Sequence, residues 1–540
     1  MGTERRTSTA TASDADEASG RGDSLPLAPT LASAAVAAAV LLPLVWLVRR
    51  ALDVPTTELL PLFSRSTEFV ANSLALVAAT TVASLLIGVP LAYLTVRTDL
   101  PFKRGFTVAA SLPLVIPSYI GAFAFVSALG PRGIAQRALG VESLPSIYGF
   151  GGAALVMTLY TYPYVYITVR AALKSMDTTL IDAARTLKQS RWEAFKRVTV
   201  PQIRPAAAAG ALLVALYTLS DFGTPAIMRF DAMTREVYLA FNSFDRDLAG
   251  LLSLQLVGVT LFILALESWV RGGDPLHSGR QGGRTDDVVR LGKWKLPAML
   301  ATAAVPALAL VVPLAVLLGW WAAGTTDTGA SLALTPSHVF NSVGVAGAAA
   351  LVAALAGLPV AYLSARYRSK LAGVFDRATY VGYAVPGVAL GLALVYLGTE
   401  VSGVLPIYQT VWLLVFAYLV RFLPQAVGSM RASFLRVNPA LPEAARTLGR
   451  TSVGAFRSVT MPLIAPGVVG GAALVFLTTM KELPATLMLA PPGFETLVLR
   501  VWAAYDQGYF GYAAVPALVL LGVSGLSMLV IISQEGYDVK

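Results

Sequence analysis

The sequence predicts an all-α membrane protein of about twelve transmembrane helices in two homologous six-helix halves. Three observations carry this. The 540 residues are 56% hydrophobic and 13% charged, where a soluble domain carries about 25% charged residues. Twelve apolar segments are each long enough to cross a hydrocarbon core ~30 Å thick at ~1.5 Å per residue. A charged interruption between apolar runs also occurs twice, with Asp182 aligned on Glu443.

The 46 glycines and 32 prolines sit largely inside apolar runs, which lipid-embedded helices tolerate better than soluble ones. There is no cysteine, so disulfides, thiolate metal sites and cysteine nucleophiles are excluded. His277 and His338 are the only histidines, too few for a multi-histidine metal site. No catalytic set and no metal-ligand set emerges.

Taken in order, residues 1–27 are rich in Ser, Thr, Ala, Asp and Glu and predict a disordered cytoplasmic tail. They lack the layout of a cleaved signal peptide. The spans fall near 29–48, 70–96, 106–129, 149–172, 203–227 and 248–270, then 297–321, 339–365, 376–398, 408–431, 464–489 and 511–533. The first transmembrane domain is thus 28–270, with a charged loop at 177–201. A Gly/Arg/Asp-rich cytoplasmic linker follows at 271–295, and the second domain is 296–540, with its loop at 438–462.

The duplication reaches beyond the loops. Asn72-Ser73, Gly88, Pro90, Ala92-Tyr93-Leu94, Arg97 and Pro117 recur as Asn341-Ser342, Gly357, Pro359, Ala361-Tyr362-Leu363, Arg366 and Pro386. Of the 41 Lys and Arg, 26 flank or fill the connections on one side and 9 those on the other. The basic side is cytoplasmic by the positive-inside rule, which places both termini and both charged loops there. The net charge of +10 is then mostly a topology signal, and nucleic acid is not an expected partner.

From Asp182 to Ala206 and from Glu443 to Gly467, 12 of 25 aligned positions are identical. Asp177 and Asn438 suit a helix N-cap and Pro439 the first helical position. A short helix should follow, with Asp182 or Glu443 near enough to pair with Arg185 or Arg446. Gly449 should end the second copy. A further short helix bearing Phe195 or Phe456 should run to Pro201 or Pro462. The expected shape is a compact elbow with a slim alanine face and one projecting aromatic, suited to a groove on another protein.

Glu443-Ala444-Ala445, then Gly449, then Pro462-Leu463-Ile464 resembles the "EAA" loop of binding-protein-dependent ABC importer permeases. The resemblance covers about 70–270 and 338–533 and implies the type I ABC importer permease fold. It implies that Asp182, Ala183, Ala184, Arg185, Leu187 and Phe195 couple the first half to a cytosolic ATPase. Glu443, Ala444, Ala445, Arg446, Leu448, Gly449 and Phe456 would do so for the second. The first copy departs from the motif, with Asp182 for Glu and Lys188 where the second has Gly449. No Gly-x-x-x-x-Gly-Lys-Ser/Thr loop is present. ATP and Mg are therefore expected on a separate ABC ATPase, a homodimer, with no cofactor on this chain and no enzyme activity of its own. The other expected partners are an extracytoplasmic solute-binding protein and the bilayer of the cell membrane.

Acids at membrane depth are costly and are candidate functional groups. Asp221, in Ser220-Asp221-Phe222-Gly223-Thr224-Pro225, aligns with Glu482, in Lys481-Glu482-Leu483-Pro484-Ala485-Thr486. One reading puts Asp221, Lys481 and Glu482 beside the translocation path. The other has the acids pair with Lys481, Arg421 or freed backbone amides and only hold the bundle together. Lys481-Glu482-Leu483-Pro484-Ala485-Thr486-Leu487, with Leu499-Arg500-Val501-Trp502 beyond it, resembles the ferric-iron branch of these permeases. That implies Fe³⁺ as cargo; thiamine, polyamines, phosphonates and oxyanions are alternatives. An ion-coupled secondary transporter is the alternative of another class, since these too use internal repeats.

Overall fold

The computed structural model describes residues 25–131, 133–140, 145–176, 190–271, 288–324, 332–367 and 369–535. Residues 1–24 of the expected tail and 272–287 of the expected linker lie outside them. Among the described residues every regular element is helical, apart from one isolated parallel bridge between Thr98 and Val289.

The first half contains α1 (Leu27–Leu52), α2 (Thr56–Arg97), α3 (Lys103–Ser111), α4 (Ser118–Leu129), α5 (Phe150–Ser175), α6 (Val200–Ser220), α7 (Gly223–Ile227), α8 (Met233–Asn242) and α9 (Arg246–Arg271). The second contains α10 (Lys295–Ala323), α11 (Pro336–Arg366), α12 (Lys370–Ala384), α13 (Gly387–Val401), α14 (Val411–Arg436), α15 (Ala440–Thr447), α16 (Met461–Met480), α17 (Pro484–Leu489), α18 (Leu497–Asp506) and α19 (Phe510–Glu535). Each expected span is occupied by one helix or by a broken pair. Among the described residues eight helices are long and apolar enough to cross a membrane, or ten if each of the two bent pairs is one span. The other two expected spans are occupied by α5, whose tyrosines and threonines lower its hydropathy, and by α19.

Proline dictates the breaks. A residue before proline is driven out of the helical region, and Ile116 and Val385 are accordingly extended, with ψ of 122° and 119°. The chain turns by 94° between α3 and α4 and by 102° between α12 and α13.

The repeated polar residues have repeated jobs. Asn72 donates to the Asp231 carbonyl (3.1 Å), and the Ser73 hydroxyl accepts the Met233 N–H (2.8 Å). Asn341 and Ser342 do the same to Glu495 (3.0 Å) and Leu497 (2.8 Å). Each pair staples the loop after a broken span to the long second helix of its half. Arg97 and Arg366 donate to Leu173 and Val437 carbonyls (2.9 Å each), satisfying backbone groups beyond the reach of helical bonding.

The halves are interlocked. Helix α1 packs on α11, α12 and α13 of the second half, while α10 packs on α3 and α4 of the first. Trp46 donates to Glu400 (2.9 Å), which also pairs with Arg49. In the reverse direction, Tyr160 donates to the Ala309 carbonyl (3.0 Å), and Trp320 donates to Ser127. The C-terminal end of the linker is tied down as well. Val289 and Asp99 exchange backbone hydrogen bonds with the end of α2 and the linker (2.8 and 3.1 Å). The Asp99 carboxylate accepts the Leu291 N–H (2.7 Å) and pairs with Lys295 (2.9 Å). These partners hold its pKa below the usual carboxylate range.

Candidate functional site

Four helix breaks meet at one place. The bends before α4 and α13 and the interruptions after α6 and α16 line a cavity of about 240 Å³ between the halves. Breaking a helix frees N–H and C=O groups that lipid cannot satisfy, so the polar side chains gathered here have backbone partners to serve. Ser118, Tyr119, Tyr164, Tyr217 and Asp221 face it from the first half; Tyr383, Arg421, Gln425, Thr478, Lys481 and Glu482 face it from the second.

The two acids bridge breaks in the same way. Asp221 accepts the Ser118 hydroxyl (2.6 Å) at the start of α4 and the Thr224 N–H (2.9 Å) at the start of α7. Glu482 accepts the Ala485 N–H (3.4 Å) at the start of α17 and packs on Gly387, the first residue of α13, where any Cβ would collide with its carboxylate. Each acid thus lies between two helix N-termini, the ends whose dipoles favour negative charge.

Their charges are balanced differently. Glu482 pairs with Arg421 (3.2 Å), which also donates to the Val385 carbonyl (2.9 Å) freed by the bend. Lys481 points elsewhere and donates to the Leu114 carbonyl (3.1 Å) in the opposite half. Asp221 makes no ion pair among the described residues. The structure therefore brings the three sequence-predicted residues, Asp221, Lys481 and Glu482, to a single cavity. It also gives the acids the structural bonds of the competing reading; the two readings coexist.

Tyr160, Tyr162, Tyr164 and Tyr166 alternate along α5; Tyr160, Tyr162 and Tyr166 are buried in packing and Tyr164 faces the cavity. Met228, Met233, Met480 and Met488 are core residues. Sequence reasoning missed Ser118, Tyr119 and Tyr217. The signal for them was their position beside Pro117 and one turn before Asp221.

In the first elbow, Asp182, Ala183, Ala184, Arg185 and Leu187 lie outside the described residues. Ser190 and Glu193 form a reciprocal cap (2.8 and 3.2 Å), which holds the Glu193 carboxyl below its usual range. Phe195 does not project as expected. It is stacked on Trp192 (5.4 Å between centroids) and edge-on to Tyr93 (5.2 Å). The exposed aromatic is Trp192, with Lys196 over its ring at 4.9 Å.

The second elbow is described throughout. Asn438 accepts the Ala440 N–H (3.0 Å), α15 follows, and Gly449 ends it at φ 88°, a left-handed conformation that favours glycine. Glu443, Ala444, Arg446 and Leu448 are exposed and Ala445 is half-buried. Three expectations fail here. Glu443 forms no ion pair with Arg446 among the described residues, because both side chains extend into open surroundings. Phe456 packs into the core, leaving Leu448 and Val453 as the projecting apolar groups. The second short helix is also not separate. From Ser452 it runs through a π turn at Phe456–Thr460 into α16. The helix continues through Pro462, which follows directly on the π turn.

The family described as binding-protein-dependent transport system inner membrane component matches residues 67–272 and again 353–535. The chain belongs to that family. It is a multi-pass membrane permease and not an enzyme in itself, and membership implies an ATPase and a solute-binding protein as partners. The ion-coupled alternative gives way to this. An Fe(3+)-transport system permease protein of Haemophilus influenzae is 31% identical over 91% of this chain and 95% of its own length. A probable ABC transporter permease of Sinorhizobium fredii is 25% identical over 86% of each chain. A molybdenum transport system permease of Azotobacter vinelandii is 28% identical over 41% of this chain but 92% of its own. One half here thus corresponds to a whole chain there. Helices α1 and α10, which cross between halves, fall outside both family matches.

Proposed function

We propose that this chain is the permease of an ABC importer for ferric iron. A binding protein delivers the ion at the outer face, and a separate cytosolic ATPase pair drives the halves between outward and inward access. The observation that carries the cargo assignment is the likeness to the Haemophilus ferric permease along nearly the full length of both chains. The cavity supports the path, because it lies between the halves and is built from both.

The elbows at 177–201 and 438–462 are the coupling points. In the second, Leu441, Leu448 and Val453 are exposed on and beside the short helix α15, the surface a docking protein would cover. ATP and Mg belong to the partner. A homodimeric ATPase suits two elbows of similar sequence. Both termini lie in the cytoplasm, as the basic-residue asymmetry requires.

The test is ATP hydrolysis in proteoliposomes containing the assembled importer. Iron-loaded binding protein should stimulate it more than empty protein, and Glu443→Ala should abolish that stimulation while leaving the permease folded. A response to thiamine, a polyamine, a phosphonate or an oxyanion instead of iron would keep the machine and replace the cargo. Failure to assemble with any ATPase would remove the coupling assignment.

A further inference from the structure

The cavity ends at the helix breaks. Helix α6 runs from the first elbow to its break at Asp221, and the lining residues Leu213, Leu216 and Tyr217 lie back along it toward that elbow. Gln425 and Thr478 lie on the elbow side of the second-half break in the same way. On the far side of the breaks apolar groups close over the cavity. Phe222 is buried there against Tyr238 of α8 and Trp502 of α18, with ring centroids 5.0 and 5.4 Å away. Among the described residues the side-chain hydrogen bonds and ion pairs of the cavity wall stay within one half, with one exception. From the break after α16, Lys481 donates to the Leu114 carbonyl (3.1 Å), in the 3₁₀ turn Leu112–Val115 that precedes α4. That carbonyl is available because Pro117, three residues on, has no N–H with which to continue the turn. A bond from an ammonium is stronger than one between neutral groups. The duplication puts Ser220 and Tyr383 at the corresponding positions, and both line the cavity. A serine is shorter and uncharged, and among the described residues no bond joins these two.

Resting on the importer reading above, with the elbows on the cytoplasmic side, we propose that Lys481 is the latch of the outer gate. Its hydrogen bond ties the break of the second half to the bend of the first across the outer end of the cavity. It holds that end shut while no solute is being delivered. A solute arriving from outside passes between break and bend, so the bond opens once in each cycle. The Leu114 carbonyl and the ammonium then turn to the water that enters between the parted halves. Asp221 and Glu482 need not follow, since their bonds each lie inside one half. Lys481 therefore acts on the equilibrium between closed and open gate, and it does so without touching the solute. One latch in place of two symmetric ones leaves the gate easy to part when the ATPase pair drives the halves.

The chain has no cysteine, so Leu216→Cys gives it a single thiol on the cavity wall. The assembled importer is held in sealed right-side-out vesicles and treated from outside with a charged, membrane-impermeant methanethiosulfonate, without ATP or solute. Labelling should be slow while Lys481 is present and several-fold faster in Lys481→Met. Lys481→Arg keeps a donor and should stay near the slow rate. Fast labelling with Lys481 in place, or an unchanged rate in Lys481→Met, would overturn the latch. A second variant does not depend on how well Lys481→Met folds. Leu114→Cys combined with Lys481→Cys, bridged by a short bis-methanethiosulfonate, should drop binding-protein-stimulated ATP hydrolysis to the unstimulated rate, and a reductant should restore it. Undiminished stimulation in the bridged importer would also overturn the latch. The labelling uses no solute, so stimulation of the wild type by a binding protein carrying something other than iron would remove the cargo and leave the latch standing.

Discussion

Asp221 and Glu482 occupy the same place in the two halves, at the end of the same helix, each binding the N–H three residues on. Among the described residues only Glu482 forms an ion pair. Arg421 neutralises Glu482, and the position 261 residues earlier is Tyr160, which instead donates to the Ala309 carbonyl of α10. The backbone geometry of the break is thus common to both halves, whereas the treatment of the buried charge is private to each.

The largest effect that would sharpen this contrast is expected at Arg421. Its side chain and that of Glu482 are 14% and 8% exposed, and removing one partner of a buried pair costs about 3–5 kcal/mol. Arg421→Met should lower stability by that order, read from chemical denaturation in detergent. Adding Glu482→Gln should recover most of the loss, because no buried charge is then left uncompensated. If Arg421→Met proves neutral, the two acids are equivalent and the contrast fails.

A smaller loss is expected at Ser118, whose hydroxyl is the counterpart support for Asp221. Ser118→Ala removes a hydrogen bond to a charged group, worth about 1.5–3 kcal/mol. A loss matching that of Arg421→Met would mean that Ser118, too, is the sole compensation of its acid.

The smallest effect concerns a contact without a counterpart among the described residues of the second half. Asp99 clamps the linker, and the residue 269 positions on is Arg368. Its folded carboxyl titrates below its unfolded range, near 3.9. Its contribution is therefore full above that range and disappears as pH falls through the lower folded value. Asp99→Asn should remove the corresponding part of the acid dependence of unfolding and the same small amount of neutral stability, small because the group is exposed to screening. An identical acid limb in the variant would mean the clamp contributes nothing.

The spans, the duplication and the recurring Asn-Ser and Arg residues were legible in the sequence because each depends on local pattern or on a fixed offset. Pro117 and Pro386 announced the bends for the same reason. Convergence of four breaks on one cavity was not legible, since it depends on how helices far apart in the chain are packed. The two acids were singled out by membrane depth alone; that Arg421 would choose Glu482 over Asp221 is a matter of tertiary geometry. The elbow aromatics misled for a related reason. Phe456 looks exposed in a polar loop, but the π turn rotates it onto the core and leaves Leu448 and Val453 outside. Trp192 has Val453 as its aligned residue, so the repeat that exposed the elbow concealed the group that distinguishes the first copy.

The crossing of α1 and α10 has a consequence for biogenesis. Val40 and Leu47 on α1 are buried in a core shared with Val388, Leu392 and Leu414, residues made more than 300 positions later. During synthesis the part of α1 that meets α11, α12 and α13 enters the bilayer bare and stays so until the second half has been inserted. The first half therefore cannot mature alone, and a chain truncated at the linker would present quality-control proteases with an unfinished surface.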